Sequence, residues 1–78
     1  MEMMNKKIER MVGRNICRIR EECGLTQEQL AARLQTNDCE ITRSALAKME
    51  VGLRHIYPDE LILIKKLLNT SYDEILTV

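Results

Sequence analysis

The residues able to do covalent or metal chemistry are few in this chain: Cys17, Cys23, Cys39 and a single histidine, His55. A structural zinc site needs four nitrogen or sulfur ligands, usually supplied as closely spaced pairs. Cysteine spacings of six and sixteen residues fit no such pattern. On one helix Cys17 and Cys23 would also point about 120° apart, at roughly 100° per residue. These spacings argue against a metal centre and against a redox pair, and leave Cys23 as a small core residue and Cys17 and Cys39 as exposed thiols. His55 has no serine and carboxylate at triad spacing, no glycine-rich phosphate loop is present, and no two carboxylates mark a cleft. No enzyme activity, cofactor, metal or small-molecule substrate is therefore expected. What the chain does carry in pattern is arginine, lysine and amide side chains at helical positions, which bind through hydrogen bonds, the cations by donating and the amides by donating and accepting.

Those side chains need elements to hold them, and residues 25–52 supply two short helices with their own start signals. Thr26 can cap the first, with Gln29 reaching back and Leu25 stapled onto Leu30; Thr42 can cap the second, with Ile41 stapled onto Leu46. Helices this short are unstable alone, because a costly nucleus is followed by few propagating bonds, so both must lean on a shared core. A longer helix is predicted over residues 6–23, where Ile8, Val12, Ile16, Ile19 and Cys23 form one apolar stripe, and Gly24 can end it in the left-handed region. A fourth helix is predicted from Pro58 to about Leu68, with Asp59 and Glu60 at its positive end and Asn69 as the stop. Ser71 and Glu74 then form a capping box for a short fifth helix ending near Thr77. Phe and Trp are absent and strand-type alternation is lacking. The expectation is an all-α, compact five-helix bundle: one domain over residues 6–78, with residues 1–5 disordered.

The run Gly-Leu-Thr-Gln-Glu-Gln-Leu-Ala at residues 24–31, followed by Ser-Ala-Leu-Ala-Lys-Met-Glu at residues 44–50, resembles the phage repressor and Cro-type (XRE-family) helix-turn-helix regulators. The resemblance extends over roughly residues 8–76. It includes Arg20, seven residues before Gln27, and a tail of Glu60, Leu61, Ile64 and Leu68 followed by Ser-Tyr-Asp-Glu-Ile-Leu at residues 71–76. It implies the fold of the phage repressor DNA-binding domain, in which the second helix of the pair enters the major groove by its N-terminal turn and outward face. Leu46, Met49 and Leu53 would face inward, leaving Arg43, Ser44, Ala45, Ala47 and Lys48 outward. The positions matching the family's base-reading set are Arg43, Ser44 and Lys48, and an arginine there can bond bidentately to guanine. Gln27, Thr42, Arg54 and His55 would contact phosphates, and Arg20 with Glu50 would form a partly buried ion pair that fixes orientation.

The chain also departs from that pattern. Residues 35–40 make the link between the paired helices five residues longer than in most relatives, and Asp38 and Glu40 make it acidic. Lys65 and Asn69 stand where the family usually has a small apolar residue and a glycine.

The formal charge is zero, whereas a DNA-binding domain is usually basic. Residues 1–24 hold six cations against four glutamates, and residues 42–55 three against one, so the basic character is local. A screening length of about 8 Å lets such a local patch act although the whole is neutral. No run approaches the length of a membrane span, and the start is polar, so a cytoplasmic protein is expected. On the fourth helix Ile62 should face outward and, with Leu76 and Val78, form a homodimer surface. The functional expectation is a repressor binding a palindromic operator on double-stranded DNA as a homodimer. The alternative is an interaction module on the same fold, antitoxin-like or an anti-repressor partner, with little DNA binding.

Overall fold

The computed structural model describes residues 5–77 and consists of five helices: α1 (Lys6–Glu22), α2 (Gln27–Thr36), α3 (Arg43–Glu50), α4 (Pro58–Leu67) and α5 (Tyr72–Leu76). Among the described residues there is no strand, and no helix is long and apolar enough to cross a membrane. Each start is set by a short polar side chain or a proline. Asn5 accepts from the backbone N–H of Lys7 and Ile8, Thr26 forms a complete capping box with Gln29, Thr42 accepts from Ala45, and Ser71 from Glu74. Pro58 opens α4, where the Glu60 carboxylate rather than a capping side chain accepts from the Tyr57 N–H. Asn5, assigned from the sequence to a disordered start, is thus part of the first helix cap; Met1 to Met4 and Val78 lie outside the described residues.

Four of the helices stop in one way. The residue after the C-cap turns left-handed and two backbone N–H groups reach back to the last turn, a Schellman closure. Gly24, Asp38, Gly52 and Asn69 take the positive φ angles. The accompanying bonds are Leu25 to Arg20 O, Cys39 to Leu34 O, Leu53 to Lys48 O and Thr70 to Lys65 O. Asp38 and Gly52 were not anticipated, and Asp38 changes how residues 35–40 are understood. They are not one long turn: α2 continues through Gln35 and Thr36, stops at Asp38, and the Gln35 amide donates to Ile41 O at 3.1 Å.

Val12, Ile16, Ile19, Leu30, Leu34, Ile41, Leu46, Met49, Ile56, Ile64, Leu68 and Ile75 form one buried cluster drawn from every helix. Three expectations about the core fail, each because position on a helix does not fix what packs over it. Cys23 is exposed, since the helix turns into Gly24 there and its thiol makes its one hydrogen bond among the described residues to the Leu68 carbonyl at the end of α4, at 3.5 Å. Leu53 is 75% exposed, because the Schellman closure at Gly52 swings it off the α3 face. Ile8 is 39% exposed, one turn before the stripe becomes covered. Ala45 packs partly against the core rather than outward, and Cys17 and Cys39 are half-buried rather than exposed.

Candidate nucleic-acid interface

The α3 helix crosses α1 closely enough that a side chain at Gly13 would meet the Met49 carbonyl oxygen at 2.2 Å. That crossing leaves Arg43, Ser44 and Lys48 exposed on α3, with Ala47 half-buried between them. No acid lies in the first turn of α3, so its positive end and Arg43 present an uncompensated donor surface. The Thr42 hydroxyl oxygen is engaged as cap acceptor from the Ala45 N–H at 3.1 Å, and its hydroxyl proton remains available to an outside acceptor.

The orientation of α3 is held by a buried carboxylate. Glu50, 5% exposed, accepts from Arg20 Nε at 2.7 Å, from Arg20 Nη2 at 3.1 Å and from Gln27 Nε2 at 3.0 Å. Arg20 Nη1 also donates to the Leu25 carbonyl at 2.7 Å. One carboxylate and one guanidinium therefore join the end of α1, the turn after it, the start of α2 and the end of α3, and no buried side-chain polar atom lacks a partner among the described residues. Burial, and then the negative charge of Glu50, pushes the adjacent Cys17 thiol above its ordinary pKa; burial, with Glu60 and Asp59, does the same to Cys39. Both therefore stay protonated and unreactive at neutral pH.

Besides Thr42, the other three expected phosphate contacts also have internal partners. One Gln27 amide N–H is held by Glu50, leaving its second N–H and its oxygen for a ligand. Arg54 makes a bidentate pair with Glu60, both bonds at 2.9 Å, and shares a cleft with Asp38, Glu40, Asp59 and Glu60. A phosphate would there meet a neutralised guanidinium among carboxylates, so Arg54 is better understood as a clamp on the loop before α4 than as a phosphate grip. His55 Nδ1 lies 2.8 Å from Glu9 Oε1, and Glu9, 3% exposed, also accepts from the Ile56 backbone N–H at 2.9 Å. One ring nitrogen of His55 is thus engaged within the protein, while the side chain remains 47% exposed.

Glu9 was not singled out in the sequence, and Glu60 was read there as a first-turn acid of α4 and part of the family-like tail, not as the partner of Arg54. For Glu9 a signal existed: it lies three and seven residues before Val12 and Ile16, on the apolar stripe of α1, where a carboxylate must be hydrogen-bonded to be tolerated. Ile62 and Leu76 are 45% and 41% exposed, and Tyr72, also on α5, is 41% exposed.

Residues 18–75 match the family model described as helix-turn-helix. No curated protein and no solved structure matches the chain.

Proposed function

This chain belongs to the XRE-type helix-turn-helix family of DNA-binding regulators, and on that premise we propose that it is a cytoplasmic repressor which binds a two-fold operator as a homodimer and acts by occluding a promoter. The observation that carries this reading is the exposed Arg43, Ser44 and Lys48 face of α3, free of acids at its positive end and held rigidly by the Arg20, Glu50 and Gln27 network. Arg43, at the first helical position, reads guanine through its two-pronged guanidinium, Ser44 and Lys48 read neighbouring base edges, and Gln27 and Thr42 hold phosphates.

Selection of duplexes from a random pool, followed by anisotropy titration, tests this reading. Arg43→Ala should weaken binding to the selected sequence by about tenfold or more relative to random duplex. Equal weakening on both would make Arg43 a phosphate contact. A wild-type protein that selects no sequence would favour the second reading, a protein-interaction module, which draws support from the zero net charge and from the internal partners of Arg54 and His55.

For the dimer, we assign the second copy to the exposed apolar side chains Ile62 on α4 and Tyr72 and Leu76 on α5. An isologous contact there would let two α3 helices reach successive major grooves, about 34 Å apart. Ile62→Glu should sediment as a monomer at high micromolar concentration, since the interface would bury an unpaired carboxylate. Wild-type protein that is monomeric under those conditions removes the basis for the interface.

A further inference from the structure

We propose that the first three turns of α1 form a second DNA contact, in which Lys6, Arg10 and Arg14 hold backbone phosphates beside the C-terminal end of α3. The proposal rests on the DNA-binding reading above and adds to it a surface outside the family match, which begins only at residue 18. Residues 6–17 of α1 therefore precede the matched region.

Several cations of the chain are held by acids, whereas those of this stretch, like Arg43 and Lys48 on α3, form no such pair among the described residues. Arg18 pairs with Glu22 and Glu74, Arg20 with Glu50, Arg54 with Glu60 and His55 with Glu9. Lys6, Lys7, Arg10 and Arg14 are exposed and form no ion pair among the described residues. The one acid among residues 5–17 is Glu9, which is buried beneath them and occupied by His55 and the Ile56 N–H. Nothing in the helix favours the arrangement. Lys6 and Lys7 stand at the positive end of the α1 dipole, and Lys6, Arg10 and Arg14 repeat every fourth residue, so like charges stack on one face. Both features weaken an isolated helix, and an anionic ligand along the row reverses both.

The row borders α3. Arg43, Ala47 and Val51 follow one another at four-residue spacing, so the outward stripe of α3 ends at Val51. Val51 lines the same cleft as Arg10 and Arg14, which also holds Arg18, Glu21 and Glu50. Arg10 packs directly against Gly52, and Lys6 shares a second cleft with Gly52, Leu53 and His55. Eight residues make α3 about 12 Å long. That is about the width of the major groove, so a helix laid across it brings its C-terminal end to the phosphates at the groove edge. Lys6, Arg10 and Arg14, about 6 Å apart along α1, then run beside that strand. Glu9 and the close α1 to α3 crossing at Gly13 fix the row relative to the reading face.

The test is the salt dependence of binding to a selected duplex, read as the slope of log K against log salt. Each phosphate contact contributes about 0.9 to that slope. Arg10→Gln with Arg14→Gln should lower its magnitude by about 2 and weaken selected and random duplexes by the same factor, whereas Arg10→Lys with Arg14→Lys should keep the wild-type slope. Because Arg10 packs on Gly52, Arg14→Gln alone serves as a second variant, with an expected change of about 1 and an unchanged melting curve by circular dichroism. An unchanged slope in the glutamine variants, with Arg43→Ala still impairing selectivity, overturns this contact and leaves the DNA-binding reading standing. A wild-type protein that binds no duplex overturns both. A lysine variant that loses as much slope as the glutamine variant overturns the assignment to charge.

Discussion

Glu50→Ala is expected to lower the free energy of unfolding by about 3 kcal/mol, measured by urea denaturation followed by circular dichroism. The carboxylate is almost wholly buried and accepts three charge-assisted or amide hydrogen bonds, two of them from the buried Arg20 guanidinium. Removing it leaves that guanidinium desolvated with only the Leu25 carbonyl and the Cys17 sulfur as acceptors. A domain of this size has a total stability of about 4 to 12 kcal/mol, so the loss is a large share of it. The pair itself need not be strongly stabilising, since two charges were taken out of water to make it. For that reason Arg20→Met combined with Glu50→Leu should recover most of the loss, and a double variant as unstable as Glu50→Ala would show that the ion pair, not the orphaned charge, carries the effect. A single variant within about 0.5 kcal/mol of wild type would mean that water reaches Arg20 freely.

Gly13→Ala tests the helix crossing, and the sign of its effect is the informative part. By helix propensity alone, replacing a glycine in the interior of a 17-residue helix with alanine should stabilise by about 1 kcal/mol. The crossing predicts the opposite: the new Cβ would lie 2.2 Å from the Met49 carbonyl oxygen and 3.1 Å from that of Glu50, both backbone atoms. They cannot rotate away, so α1 and α3 must separate, and overpacking of this kind costs about 1 to 3 kcal/mol or more. A net destabilisation of about 2 kcal/mol is expected, with a fall in DNA affinity as α3 shifts. An increase in melting temperature would show that the two helices are not in contact at this point.

These two variants divide the protein's features by the range of the interactions behind them. The five helices, most of their caps, the stop at Gly24 and the left-handed Asn69 were legible in the sequence, because each depends on residues three or four positions apart. The family could be identified for the same reason, from two short runs at a recognisable separation. The sequence also placed Arg20 with Glu50 and Arg43, Ser44 and Lys48 on α3, but only through resemblance to that family. Nothing local marks Arg20 as the partner of a carboxylate thirty residues away.

What the tertiary structure alone decided is which polar groups remain free to bind. Arg54 and His55 have the residue types of phosphate ligands, yet Glu60 and Glu9 hold them. Leu53 and Cys23 have the composition of core residues, yet helix ends turn them to water. Glu9 meets the Ile56 N–H across 47 residues of chain, and Gly13 meets α3 across more than thirty. Local patterns determine where the backbone forms its own hydrogen bonds. The partner of a charge, and the room beside a glycine, depend on which surfaces the helices bury against one another, and that is settled by the packing of the whole core.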